Sequence, residues 1–186
     1  LIDYPQYPDL ADAGNAPNLP ENEQKLIWQD GDWIIYEYTQ SLPRAFLASS
    51  YIKETDNQKT ADLIYDPQVN LREQLILTQD PPLALADDPN EITDISEYRP
   101  TKITIRTSSR TNQLLFLSDT YYPGWKAAID GQPVKVLRAD LAFRAVPVPA
   151  GEHKIIMTYF PNSFKYGLYL AAASLILSLL IYAIYL

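Results

Sequence analysis

Residues 125–137 read WKAAIDGQPVKVL and give the clearest indication of local structure in this 186-residue chain. Two apolar runs, 125–129 and 134–137, flank the pair Asp130-Gly131. An Asp-Gly pair readily adopts the positive φ angles of a tight turn between antiparallel strands. The stretch therefore predicts a β-hairpin, with Pro133 lengthening its loop.

A second hairpin is predicted immediately downstream. Residues 143–148 and 153–160 are strand candidates, and Ala150-Gly151 lies at the turn between them. Because successive strand side chains point to opposite faces, alternation places every second residue of the later strand on one face. The residues that share this face are His153, Ile155, Met157 and Tyr159.

Further upstream, Asp56 is placed to cap a short helix that extends to about residue 65, with Pro67 ending it just beyond. Runs rich in apolar and β-branched residues, separated by Pro, Gly and Asp turns, predict additional strands. Several antiparallel strands favour two packed sheets over one open sheet. The fold class is therefore mainly β, an antiparallel β-sandwich with a short helix insertion. The additional strands are 33–39, 45–49, 74–79, 102–106 and 114–118.

The last twenty residues, 167–186, contain no charged side chain. At 1.5 Å per residue, a helix of this length is about 30 Å long, which matches the hydrocarbon core of a bilayer. The alternative is a buried helix of a soluble protein, which rarely has so long an uninterrupted apolar run. We predict one C-terminal transmembrane helix with tyrosines at both membrane interfaces. These interface candidates are Tyr166, Tyr169, Tyr182 and Tyr185.

The predicted organisation has three parts: a Pro-rich lead-in loop over residues 1–24, a β domain over 25–163 and the transmembrane helix over 164–186. The first residue is not Met, so we expect a piece of a longer chain. Lys154 and Lys165 flank the helix on the domain side, which the positive-inside rule alone would assign to the cytoplasm.

Composition excludes several classes of function. The 15 Lys and Arg residues are outnumbered by 23 Asp and Glu, so binding to nucleic acid is not expected. The chain has no cysteine, and His153 is its single histidine, which leaves no material for a Cys-based metal site or a Ser-His-Asp triad. We predict no metal, no cofactor and no catalytic residue in this chain.

Paired carboxylates can act as general acid and base on sugars, which makes the aspartates of this chain relevant to function. Asp87 and Asp88 lie in a Pro-flanked loop and Asp130 lies in a turn, which favours solvated or capping roles. Asp119 is retained as a candidate because an unusual aromatic cluster follows it. No two carboxylates are predicted to face each other across a cleft.

That cluster consists of Tyr121, Tyr122 and Trp125, with Pro123 and Gly124 between them. Exposed aromatic rings stack on sugars or lie at a membrane interface, whereas buried rings fill the edge of a sandwich. The sequence leaves both uses open. Asp119 and the three rings are the candidate ligand contacts.

Several segments resemble the C-terminal region of the YfhO-like bacterial membrane proteins. The matching order begins with Leu42-Pro43-Arg44-Ala45-Phe46 and Asp66-Pro67, and it ends with Tyr159-Phe160-Pro161 and an apolar helix. The central segments are Ser118-Asp119-Thr120-Tyr121-Tyr122-Pro123-Gly124-Trp125-Lys126, Ile129-Asp130-Gly131, Leu137-Arg138-Ala139-Asp140 and Val148-Pro149-Ala150-Gly151-Glu152-His153. One departure is Tyr36-Glu37-Tyr38, where many relatives have Asn-Pro after the acid, and it affects only the local turn.

The resemblance implies a multi-pass protein of the bacterial cell membrane, similar to GT-C glycosyltransferases, with its β domain on the extracytoplasmic side. It also implies sugar transfer from polyprenyl-phosphate donors onto envelope glycopolymers, with the catalytic acid outside this chain. The expected partners are the lipid bilayer, the missing transmembrane region and envelope glycan or lipid-linked sugar. The alternative function is a non-catalytic structural or interaction module. An independent hydrolase has the least support.

Overall fold

The computed structural model describes residues 24–31, 33–39 and 41–185, and the chain divides into two compact units, Leu1–Leu42 and Pro43–Leu186. In the first unit, strands β1 (Gln24–Asp30) and β2 (Trp33–Tyr38) form an antiparallel hairpin. Strand β1 was not predicted. The predicted lead-in loop lies outside the described residues, except for Gln24 at the start of β1.

The second unit contains eleven strands and two helices among its described residues. The predicted mainly β fold with a terminal apolar helix is confirmed. The elements are β3 (Ala45–Ala48), β4 (Ser50–Lys53), α1 (Asn57–Ile64), β5 (Gln74–Leu77), β6 (Ile92–Arg99), β7 (Lys102–Ser109), β8 (Gln113–Leu117), β9 (Trp125–Ile129), β10 (Gln132–Val134), β11 (Leu137–Ala139), β12 (Phe143–Val148), β13 (Gly151–Tyr159) and α2 (Asn162–Ile184).

These strands form a five-stranded sheet in the order β10-β9-β13-β7-β6 and a six-stranded sheet in the order β3-β8-β12-β11-β5-β4. Alternate side chains of the two sheets meet in one apolar core, as expected for a sandwich. In the five-stranded sheet, Ile155 is paired with Ile129 on one side and Ile105 on the other. The six-stranded sheet contributes Ala45, Leu47, Leu115, Leu117, Val146 and Val148 to the same core.

The six-stranded sheet has a second core on its other face. Only Ser49 separates β3 from β4, yet these strands form the two edges of the sheet. Because two peptide units span only about 7 Å, the sheet rolls until its edges approach each other. The enclosed side chains are Phe46, Ala48, Leu75, Leu77, Leu114, Phe116, Leu137, Ala139 and Ala145. Strand β8 is buried on both faces, which explains its continuous apolar sequence.

Two predicted connections are wrong. Strands β12 and β13 do not form a hairpin, because β12 pairs with β8 and β11 whereas β13 pairs with β7 and β9 in the other sheet. The predicted strand 134–137 is divided between β10 and β11, which also lie in different sheets. In both cases the chain crosses from one sheet of the sandwich to the other.

The helices agree with their sequence signals. The Asp56 carboxylate accepts a hydrogen bond from the Lys59 backbone N–H at 2.9 Å, so it caps α1 as predicted. Helix α2 begins at Asn162, two residues before the predicted boundary, and within the described chain none of its side chains is buried. Strands β4 and β6 were not predicted, and the sandwich strands begin at Ala45.

Candidate functional site

Asp119 lies two residues after the end of β8, between Arg44, which directly precedes β3, and Arg144 of β12. Its carboxylate accepts hydrogen bonds from Arg44 Nη1 at 2.8 Å and from the Tyr98 hydroxyl at 2.9 Å. Arg144 Nη2 lies 3.0 Å from the other carboxylate oxygen. The sheet order β3-β8-β12 brings Arg44, Asp119 and Arg144 together, since each lies in or beside one of these strands.

Arg144 is the buried member of this cluster. Its side chain is only 2% exposed, and its guanidinium lies 3.9 Å from the centre of the Trp125 ring. Burial lowers the pKa of Arg144, and the Asp119 carboxylate opposes that shift. The guanidinium therefore stays charged, held between a carboxylate and the face of an indole ring.

Three aromatic rings extend the cluster towards the surface. The centre of the Tyr159 ring lies 5.3 Å from that of Trp125 and 6.3 Å from that of Tyr122. Together with Asp119 and Arg144 they line an open cleft of about 350 Å³. The other lining residues are Tyr98, Arg99, Pro100, Ile103 and Thr120.

The four candidate contacts differ in exposure. Tyr122 is 58% exposed and Tyr121 is 36% exposed, whereas Trp125 is half-buried. The Asp119 side chain is 12% exposed and is already occupied by its arginines. The structure thus brings Asp119, Tyr122 and Trp125 together in one cleft, while Tyr121 does not line it.

Sequence reasoning missed Arg44, Tyr98, Arg144 and Tyr159 as members of this site. Arg144 was detectable, because it is the single charge in the otherwise apolar strand Phe143–Val148. A charge in a strand of this kind requires a buried partner. Tyr98 had no comparable signal, since it belongs to a strand that was not predicted.

The loop after Asp119 is held against the start of α2. The Phe160 backbone N–H donates a hydrogen bond to the Gly124 carbonyl at 2.9 Å. Gly124 has a φ of +116°, and a Cβ at this position would lie 2.9 Å from Cα of Pro161. Only glycine fits this approach without displacing the backbone. The cleft therefore lies beside the residues that lead directly into the long helix.

Asp88, Asp130 and His153 have structural partners. Asp88 is bound by Arg110, whose side chain and backbone N–H hold the pKa of that carboxyl well below its usual range. His153 Nδ1 lies 2.6 Å from an Asp130 carboxylate oxygen. Across residues 24–31, 33–39 and 41–185, no group of three or more His, Cys, Asp or Glu side chains could hold a metal ion.

Helix α2 comprises 23 residues with a mean hydropathy of 2.2 over its most apolar window, long and apolar enough to cross a membrane. The three tyrosines of the helix and the one directly after it are all exposed, and these are Tyr166, Tyr169, Tyr182 and Tyr185. Their assignment to the membrane interfaces remains a prediction. A sandwich whose last strand continues into such a helix defines the chain as a membrane-anchored β domain.

Two comparisons with known proteins agree with that class. The family model described as "Bacterial membrane protein YfhO" matches residues 84–171. The "Uncharacterized protein YfhO" of Bacillus subtilis (strain 168) is 27% identical over 95 residues, a match covering 51% of this chain and 11% of that relative. No solved structure matches the chain significantly. Over residues 84–171 the chain is therefore similar to the YfhO family of bacterial membrane proteins.

Proposed function

We propose that this fragment is an extracytoplasmic accessory domain of a membrane glycosyltransferase that uses polyprenyl-phosphate-linked sugar to modify envelope glycopolymers. In this proposal the cleft beside Tyr122 holds the sugar of the lipid-linked donor or of the acceptor glycan. The match covers only 11% of the Bacillus relative, so the activity of the whole protein is part of the proposal. The transfer chemistry is assigned to the part of the protein outside this chain.

The single observation that carries the proposal is the position of the cleft. Its aromatic wall is built by Tyr122, Trp125 and Tyr159, and Tyr159 is three residues before Asn162, where the membrane-length helix begins. Aromatic faces with a neighbouring carboxylate and hydroxyls suit a pyranose ring, which has apolar C–H faces and polar edges. The sugar of a lipid-linked donor lies at the membrane surface, where a cleft beside the start of a membrane-spanning helix also lies.

The proposal is tested by binding to the full chain in lipid nanodiscs. Envelope glycan fragments and a short-chain polyprenyl-phosphate sugar are titrated, and heat and tryptophan fluorescence are recorded. We expect saturable binding that Tyr122→Ala weakens about tenfold, which corresponds to about 1.4 kcal/mol. Tyr65→Ala is the matched control, because Tyr65 is 85% exposed and outside the cleft. Equal binding by both variants, or no binding at millimolar ligand, would refute sugar recognition here.

The extracytoplasmic side is tested separately with the cysteine-free sequence. Gln132→Cys introduces one thiol at an exposed position of the β domain, the first residue of β10. A membrane-impermeant maleimide should label this thiol in intact cells to the same extent as in lysed cells. Labelling only after lysis assigns the domain to the cytoplasm, as the positive-inside rule alone would suggest.

A structural module is the second candidate, and one observation favours it. Arg144, Asp119 and Trp125 satisfy one another, so this part of the cleft wall is a packed cluster as well as a surface. Under this function the domain supports the transmembrane region and binds no sugar. The nanodisc titration distinguishes the two functions directly.

A further inference from the structure

The sequence at the start of α2 indicates how deep this part of the chain lies in the membrane. The first five residues of the helix, Asn162 to Tyr166, include polar side chains, and the uncharged run begins at Gly167. Five residues span about 7.5 Å, which is comparable to one headgroup layer. When the uncharged run fills the hydrocarbon core, the first turn of α2 therefore lies among the headgroups.

Five exposed aromatic side chains lie in the start of α2 and in the two segments that the Gly124–Phe160 hydrogen bond joins. Tyr121 and Tyr122 belong to the loop after β8, Phe160 precedes the helix, and Phe164 and Tyr166 lie in its first turns. We call these five residues the aromatic collar. Phe160 and Phe164 contact each other edge to face, with ring centres 5.7 Å apart. Aromatic side chains concentrate at the membrane–water interface.

The collar is held together by backbone contacts. The Gly124–Phe160 hydrogen bond ties the Tyr121–Tyr122 loop to the helix start, and the Tyr159 N–H donates to the Thr101 carbonyl at 2.9 Å. The close approach of Gly124 to Pro161 leaves no space for a side chain between loop and helix. The loop thus has a fixed height relative to the first turn of α2.

Charge around the collar contrasts with that of the whole chain, which has a formal net charge of −8. The segments 97–102, 119–126 and 158–166 include four Lys and Arg residues but only two carboxylates. One of these, Asp119, is already paired with Arg44 and Arg144. The other, Glu97, is paired with Arg99 and Lys102. The excess of cations in these segments therefore comes from Lys126 and Lys165, and it favours anionic headgroups. The four cations are Arg99, Lys102, Lys126 and Lys165.

We propose that the aromatic collar rests on an anionic bilayer surface, so that the β domain is seated directly on the membrane and not suspended above it by the helix. We infer a bilayer as the partner of the collar because the collar is continuous with a membrane-length helix. The cations in the segments around the collar also complement the charge of anionic lipid. This inference does not depend on sugar binding, and it requires no ligand other than lipid.

The test uses single-cysteine variants of the full cysteine-free chain in nanodiscs made with brominated phosphatidylglycerol and phosphatidylcholine. An environment-sensitive NBD label is attached at Tyr121→Cys, at Phe164→Cys or at the control position Gln132→Cys. Gln132 is exposed and follows the far end of β9 from Trp125. Circular dichroism checks that each variant is folded.

We expect the bromines to quench the Tyr121→Cys label by at least half as much as the Phe164→Cys label, and to leave the Gln132→Cys label unquenched. Quenching at Tyr121→Cys should decrease about twofold or more when phosphatidylcholine is the only lipid. Quenching at Phe164→Cys without quenching at Tyr121→Cys would overturn the inference, as would an unquenched Phe164→Cys label. Equal quenching in both lipids would overturn its electrostatic part.

Discussion

Asp119 and Asp140 both follow strands of the six-stranded sheet and both are largely buried, but their surroundings differ. The Asp119 side chain is 12% exposed and contacts two arginines and the Tyr98 hydroxyl. Asp140 is 7% exposed, and its carboxylate accepts a hydrogen bond from the backbone N–H of Ile76 at 2.7 Å. Burial raises the pKa of Asp140 to about 6, although the Ile76 N–H lowers it in part. Two carboxylates that are both largely buried in this fold therefore have very different partners.

Asp119 organises the cleft, whereas the fold only accommodates Asp140. Asp119 compensates the charge of Arg144, which in turn supports the Trp125 ring of the cleft. Asp140 lies in a turn with a φ of +44°, where aspartate and asparagine are both acceptable. Substitution by the isosteric amide should consequently have opposite effects at the two positions.

The largest effect is expected for Asp119→Asn, which removes the countercharge of a buried arginine. We expect the free energy of unfolding to decrease by about 3–5 kcal/mol. Denaturant unfolding of the chain in detergent measures this change. The double variant Asp119→Asn/Arg144→Met should recover much of the loss, because it leaves no buried charge unpaired. A cost below about 1 kcal/mol for the single variant would show that Arg144 needs no countercharge.

Gly124 lies in the loop that follows Asp119, and Gly131 in the β9–β10 turn is its matched control. Both Gly124 and Gly131 have positive φ angles, but only a Cβ at Gly124 would meet other atoms. Gly124→Ala should destabilise the chain by about 2–3 kcal/mol, whereas Gly131→Ala should cost about 1 kcal/mol for its conformation alone. Thermal unfolding of the two variants side by side measures the difference. Equal costs would mean that the loop moves away from Pro161 without penalty.

Asp140→Asn should stabilise the protein at pH 8, by about 1–3 kcal/mol. A raised pKa means that folding favours the neutral carboxyl, so wild-type stability decreases as pH rises from about 4 through about 6. Asparagine keeps an acceptor for the Ile76 N–H and never ionises. The melting temperatures of variant and wild type should therefore coincide below about pH 4, separate between pH 4 and 6, and differ by a constant amount at higher pH. Destabilisation at both pH values would disprove this reading of Asp140.

The smallest effect is expected for the half-exposed Asp130, whose partner is His153. The His153 side chain and the Lys154 backbone N–H lower the pKa of Asp130. A lowered pKa contributes stability above the usual range of aspartate, and this contribution is lost as pH falls from about 4 towards 2. Asp130→Asn should thus have a slightly lower melting temperature than wild type at pH 6 and the same one near pH 2. A constant difference across this range would show that the pair is not involved.

The sequence predicts what local patterns determine. The Asp130-Gly131 turn, the Asp56 cap and the uncharged helix each follow from a few adjacent residues, and all three are found in the structure. The crossing from β12 to β13 could not be predicted, since either pairing satisfies the same alternation. The arginine cluster likewise depends on sheet order, which brings Arg44 within hydrogen-bonding distance of Asp119 across 75 positions.

The central claim is that the cleft recognises lipid-linked sugar at the membrane surface. Its most direct test is photo-crosslinking of the full chain in nanodiscs doped with a polyprenyl-phosphate sugar. The crosslinker is attached at Thr120→Cys, which lies in the cleft, or at Gln132→Cys as the distant control. We expect a crosslink to the lipid-linked sugar from Thr120→Cys alone, and we expect excess free donor to diminish it. Crosslinks from Thr120→Cys to bulk lipid only, unaffected by the donor, would contradict it.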